Sequence, residues 1–177
     1  MTHLASRVGV DDGKEECYSQ AMPFGPDIVV SDPESSDIVL VVEAKTSERN
    51  LPTSESQLKR YMVGMHCPVG ILVTPKRFRL YRDRYLGTSE DSITQVADFD
   101  TKHVLKFEIS EHDRGGEYQF VRLIQAWLEG LNSEAGLRQL PDDLRRAAQL
   151  YIFPAVSQGV VRARPLRPPT NVRAYST

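Results

Sequence analysis

The chain predicts an α/β fold, a mixed β-sheet flanked by helices, and three observations carry that expectation. Residues 38–45, Ile-Val-Leu-Val-Val-Glu-Ala-Lys, are apolar on both faces until Glu43 interrupts them. A strand of this kind sits inside a sheet that is covered on both sides, the habit of α/β proteins. An amphipathic segment follows at residues 54–66, with Leu58, Met62 and Met65 as its apolar stripe. At 177 residues the chain is long enough to bury a core without help from disulfides.

The elements read in order as follows. Residues 1–8 form one or two turns of helix, 10–14 a polar turn, and 16–22 a weakly alternating strand. Ile28–Ser31 is a short strand, and Asp32-Pro33-Glu34-Ser35-Ser36 is its turn. Residues 38–45 are the central strand, with Ile38, Leu40, Val42 and Ala44 on one face and Val39 and Val41 on the other. A polar loop over 46–52 leads to the helix at 54–66. Strands at 69–74 and 78–82 flank a Pro75-Lys76 turn. Residues 84–100 read as irregular and polar, and 104–109 as a strand. Residues 118–131 are the clearest helix, with Phe120, Leu123, Ile124, Trp127, Leu128 and Leu131 at helical spacing; Trp127 and its neighbours suit either a core or an interface. Another helix spans 142–153, begun by Pro141 and ended before Pro154. From Ser157 onward the Arg/Pro composition suggests an extended tail. The expected organisation is one domain over residues 1–156 and a tail over 157–177.

The charge balance, 22 basic against 24 acidic residues, argues against a generic polycationic nucleic-acid binder and leaves local patches open. Lys59, Arg60, Lys76, Arg77, Arg79, Arg82 and Arg84 lie between Gln57 and Tyr85, with only Asp83 opposed there. Arg162, Arg164, Arg167 and Arg173 follow, with no acid after Asp143. The first cluster is either a solvated face or, beside a metal motif, a phosphate-binding surface. Cys17 and Cys67 have no zinc-type spacing, which suits a reduced, cytoplasmic protein. There is no apolar run of the length a membrane span needs and no signal-peptide pattern at Met1, so neither membrane insertion nor secretion is expected. Glu111-His112-Asp113, followed by Arg114-Gly115-Gly116, reads as a polar loop rather than a metal site. No GxxxxGK[ST] loop is present, so no ATP motor is expected in this chain.

The chemistry concentrates in Pro26-Asp27 and Glu43-Ala44-Lys45. Strand alternation projects Glu43 and Lys45 from one face. Asp27 precedes Glu43 by about one hairpin, and a neighbouring strand would bring it alongside. The pair would then form a two-carboxylate cup for a hard cation, with an ammonium at its rim. The plainer alternative is a strand that ends in solvent with ordinary charges. Gln57 and Tyr61, four residues apart, share a helix face. They either hydrogen-bond the carboxylates or a phosphate, or Gln57 closes a capping box with Ser54 and Tyr61 is an ordinary boundary tyrosine.

Pro26-Asp27, Glu43-Ala44-Lys45 and the Gln57-Leu-Lys-Arg-Tyr61 element, in that order, resemble the PD-(D/E)xK nuclease superfamily. The QxxxY spacing is similar to the branch that includes the N-terminal nuclease domain of type I restriction motor subunits. Gly70-Ile-Leu-Val-Thr74 and Phe78-Arg-Leu-Tyr81 continue the likeness, which covers roughly residues 15–85. The resemblance implies a restriction-endonuclease-like three-layer core and a metal-dependent nuclease that acts on DNA in a restriction or repair system. It implies Mg²⁺, with Mn²⁺ as substitute, held by Asp27, Glu43 and the carbonyl of Ala44, and Lys45 orienting the attacking water. Gln57 and Tyr61 would support the site, and Lys59, Arg60, Lys76, Arg77 and Arg79 would meet phosphate. Motor or specificity subunits are the implied partners. The family's usual further acid lies on a helix well before the Asp, where Glu15 and Glu16 are the nearest candidates. The alternative is a nuclease fold without activity that binds nucleic acid or assembles with a partner. DNA versus RNA, endo- versus exonucleolytic cleavage, and homodimerisation stay open.

Overall fold

The computed structural model describes residues 25–105 and 116–164. The elements expected at 1–8, 10–14 and 16–22, most of the strand expected at 104–109, and the 111–113 loop lie outside the described residues.

Among the described residues six strands build one mixed sheet: β1 (Ile28–Ser31), β2 (Ile38–Ala44), β3 (Val69–Val73), β4 (Arg77–Asp83), β5 (Ile93–Asp100) and β6 (Val160–Ala163). Their order is β5-β4-β3-β2-β1-β6. β2 and β3 run parallel, and every other neighbouring pair is antiparallel. The parallel pair needs a crossover, which α1 (Leu51–Gly64) supplies. β2 and β3 are interior strands, and every residue from Leu40 to Ala44 and along β3 is buried. This is the doubly covered strand that its apolar run predicts.

Two cores sandwich the sheet. On one side α1 buries Leu58 and Met62 against Val41, Leu72, Tyr81 and Ile93. Each such fully buried aliphatic side chain contributes about 1.5–3 kcal/mol. On the other side lie α3 (Gly116–Gly130), α5 (Asp142–Ala147) and α6 (Phe153–Val156). Phe120, Ile124, Leu128, Leu144 and Ile152 pack there with Leu40, Val42, Ile71, Val73 and Leu80. Trp127 belongs to this core, edge-on to Phe78 with ring centroids 5.4 Å apart. Two short helices, α2 (Thr101–Val104) and α4 (Glu134–Arg138), complete the described elements.

Several expectations are corrected. The simple alternation along β2 fails at its start. The register passes from Val30↔Leu40 to Ser31↔Ile38, a bulge that skips Val39. Ile38 therefore packs with the α1-side core and Val39 with the opposite one. Met65 is not in the buried stripe: α1 ends at Gly64 and Met65 is 42% exposed. Residues 93–100, read as irregular, are the edge strand β5. Among the described residues it has one neighbour, and the ladder shifts register between Leu80 and Tyr81, so its side chains never show clean two-residue alternation. At residue 101 the chain turns into α2, capped by the Asp100 carboxylate, so Val104 ends a helix; the rest of the strand expected at 104–109 lies almost wholly outside the described residues. The helical run that begins at Asp142 does not stop before Pro154. It widens into a π-helical turn at Ala148–Ile152 and continues as α6. Proline lacks an N–H and its ring crowds the carbonyl four residues back, and a wider turn accommodates both. Finally, Val160–Ala163 is not tail: it pairs with β1 and closes that edge of the sheet.

Candidate active site

Strand register lays the site out. Ile28 pairs with Val42, so one step further brings Asp27 opposite Glu43. Glu43 pairs with Leu72, Leu72 with Arg79, and Arg79 with Asp98. Cross-strand partners share a face. Asp27, Glu43, Leu72, Arg79 and Asp98 thus form one row on the face that α1 covers. Lys45 follows Glu43 on that face by strand periodicity, at the end of β2.

The two carboxylates and the ammonium are together. Asp27 Oδ2 accepts a hydrogen bond from the Ala44 N–H at 2.8 Å. The Lys45 ammonium is ion-paired with Glu43 Oε1. Glu43 is 2% exposed, and among the described residues its Oε2 is buried without a hydrogen-bond partner. A buried carboxylate oxygen left unpaired is costly, and a cation bound to it would remove that cost.

Electrostatics tie the group together. Burial, then the neighbouring Asp27 charge, pushes Glu43 up to about 7 against the pull of Lys45. Burial also raises Asp27, although the Ala44 N–H and Lys45 hold it back. Burial works against the Lys45 ammonium, but Glu43, Asp27 and Glu117 together keep it above its ordinary value. Near neutral pH and without a metal, Glu43 is therefore poised between its protonated and ionised forms. Among the described residues no three His, Cys, Asp or Glu side chains form a ready-made metal cage. Asp27 and Glu43 could still hold Mg²⁺, which typically takes one or two carboxylates and completes its shell with water and phosphate.

Glu117 is the residue the sequence reading missed. It sits in the first turn of α3, in the layer opposite α1, and its charge acts on Asp27, Glu43 and Lys45 alike. The upstream candidates for a further acid, Glu15 and Glu16, lie outside the described residues. No local pattern marks Glu117; only the packing of α3 brings it to the site.

The supporting residues divide. Ser54 does not cap α1, which begins at Leu51 after Asn50, so the capping-box reading of Gln57 is excluded. Tyr61 lies on the flank of α1 toward Arg164 and is held above its ordinary pKa mainly by burial. Gln57, one turn earlier and half-buried, shares that flank. The opposite flank faces β4. There Lys59 is ion-paired with Glu55 at 2.8 Å and lies 5.4 Å from the Tyr81 ring centre. Arg60 is paired with Glu90 at 2.7 Å. Arg77 is paired with Asp98 at 2.6 Å, and Arg79 reaches Glu55 at 3.3 Å and Asp98 at 3.7 Å. Lys59, Arg60, Arg77 and Arg79 are thus neutralised by Glu55, Glu90 and Asp98, acids that lie outside residues 57–85 in sequence. Lys76 is exposed on the β3–β4 turn, at the same end of the sheet as Lys45. Cys67 is buried and its thiol pushed up to about 12 by burial, so it is unreactive.

No family model, no curated protein and no solved structure matches the chain. Among the described residues no helix is long and apolar enough to cross a membrane.

The Glu43 environment predicts how stability responds to pH. The folded carboxyl keeps its proton to about pH 7, whereas an unfolded glutamate releases it near pH 4.5. Between those values the folded state binds more protons, so raising the pH favours unfolding. The metal-free protein is expected to lose roughly 3 kcal/mol across that window, with Asp27 acting in the same direction. Urea melts at about pH 5 and about pH 8 check this. Glu43→Gln should flatten the difference; an equal slope in both proteins would disprove the assignment.

Proposed function

We propose that the chain is a metal-dependent nuclease of the PD-(D/E)xK type that hydrolyses phosphodiester bonds of DNA. The observation that carries this reading is Glu43, buried beside Asp27 and ion-paired with Lys45, with one carboxylate oxygen left without a partner. An interior strand that ends in a buried acid and a lysine, with a second acid beside it on the neighbouring corner, is expensive unless the site works on charge.

In this reading Asp27, Glu43 and the Ala44 carbonyl hold Mg²⁺ or Mn²⁺. When bound, the ion would lower the pKa of a water and polarise the scissile phosphate. The Ala44 N–H keeps the Asp27 carboxylate turned into the site. Lys45 orients the attacking water and offsets the charge that develops on the phosphorane. Glu117 adds the further acid that the resemblance leads one to seek upstream. Gln57 and Tyr61 steady the Asp27 side. A cytoplasmic restriction or repair setting, with motor or specificity subunits on other chains, belongs to the same proposal.

The test is cleavage of linear, circular and single-stranded DNA with Mg²⁺, with Mn²⁺ and with EDTA, beside a Lys45→Ala control. One observation favours a second reading, a nuclease fold without activity that binds nucleic acid or a partner: the described acids form no three-ligand cage. DNA binding with no metal-dependent cleavage would select it.

The basic row makes a separate prediction. Removing Arg77 and Arg79 together leaves Asp98 without its ion-pair partners and Glu55 with Lys59 alone, so that side of the sheet turns more acidic. The double Arg77→Ala, Arg79→Ala variant is expected to bind DNA more weakly, with its salt slope reduced by about two if each arginine meets one phosphate. Fluorescence anisotropy over a salt series measures this, and an unchanged slope removes both residues from the interface.

A further inference from the structure

We propose that Arg164 is a positioning residue that clamps the Gly25-Pro26-Asp27 corner and so aims the Asp27 carboxylate; the proposal rests on the metal-site reading above. Arg164 lies immediately after β6, and the β1–β6 register, Ile28↔Ala163, brings it opposite Asp27. Its main-chain N–H donates to the Asp27 carbonyl at 2.8 Å. Its guanidinium Nη1 donates to the Gly25 carbonyl at 3.0 Å. A Cβ on Gly25 would crowd that Nη1 and lie 2.9 Å from the guanidinium carbon, so the exposed, flexible side chain would have to shift off the carbonyl. One residue thus grips the corner by its main chain on Asp27 and by its side chain on Gly25.

The grip bears on the site because, among the described residues, it adds to only a few contacts that fix Asp27. Its carboxylate is tied to β2 through the Ala44 N–H, and its own N–H donates to the Val42 carbonyl at 2.9 Å. β1 has only four residues, so the corner that precedes it depends on the neighbouring strand. The positive charge of Arg164 is also felt by Asp27 and by Tyr61, so it lies on the side of the site where both meet. Groups that orient a metal ligand without touching the ion typically change affinity by about 10–100-fold when removed.

The experiment is calorimetric titration of Mn²⁺ into the full chain, with a thermal melt of each protein alongside. Arg164→Ala is expected to weaken Mn²⁺ binding by about 10–100-fold. Gly25→Ala keeps the charge but pushes the guanidinium off the carbonyl, and should show a loss of the same order. Arg164→Lys, with the charge but not the planar fork, should fall between them and the parent. A merely structural role would lower the melting temperature of these variants and leave the affinity of the folded fraction unchanged, and that result overturns the proposal. Should Arg164→Ala fail to fold, Gly25→Ala and Arg164→Lys decide on the same criterion. A folded parent that binds no Mn²⁺ overturns the metal-site reading itself, and the clamp proposal falls with it; a parent that binds while all three variants bind equally well overturns the clamp alone.

Discussion

Lys45→Ala is expected to reduce DNA cleavage by at least ~10²–10³-fold while leaving DNA binding close to that of the parent. The ammonium stands on the face of β2 that carries Glu43 and is ion-paired with it. Its neighbours hold it charged through neutral pH. A fixed charge at that point does most for a phosphorane, which carries more negative charge near the lysine than the ground-state diester does. The loss should therefore fall on the chemical step. A second effect must be separated from it. Without Lys45, Glu43 loses the partner that favours its ionised form, and metal binding near neutral pH weakens with it. Raising the pH to about 8.5 and saturating with Mn²⁺ restores the carboxylate, and the remaining deficit is the contribution to turnover. Single-turnover cleavage at saturating metal measures it. A variant that cuts as fast as the parent would mean that the activity does not arise at this site.

Glu43→Ala should remove metal binding and cleavage together. Glu43 supplies the buried oxygen that has no other partner. Its loss leaves Asp27 as the main carboxylate, with one oxygen already engaged by the Ala44 N–H. The fall in Mn²⁺ affinity should exceed the ~10–100-fold typical of removing an outer partner, because a ligand itself is lost. In the parent, affinity should climb with pH through about 7 as Glu43 gives up its proton, because the ion competes with that proton. Calorimetry across that range reports both. Undiminished Mn²⁺ binding in Glu43→Ala would place the ion elsewhere, and a parent affinity independent of pH would contradict the raised pKa of Glu43.

Some of this protein was legible from the chain alone. β2, α1, β3, β4 and α3 are buried on the faces their side chains declare, so period two and period 3.6 were enough to find them. The meeting of Asp27 and Glu43 was also within reach. The two lie on adjacent strands of one hairpin, and strand periodicity puts Glu43 and Lys45 on one side without any distant contact. The ends of elements were harder. Local pattern suggested a break at Pro154, whereas a π-helical turn carried the helix past it.

Tertiary structure decided the rest, and in each case because the stabilising partner is far away in sequence. Among the described residues β5 and β6 are the edge strands, held by ladder bonds to β4 and β1. An edge has one neighbour and much solvent, so its side chains need not alternate and its sequence resembles a loop or a tail. The arginines of β4 looked available for phosphate because Glu55 and Asp98 reach them only after α1 and β5 have packed. Glu117 and Arg164 are separated from Asp27 by 90 and 137 residues, and they come to the site only because α3 and β6 dock there. Hydrophobic periodicity records which face of an element is buried; it carries no record of which charge another element will bring to that face.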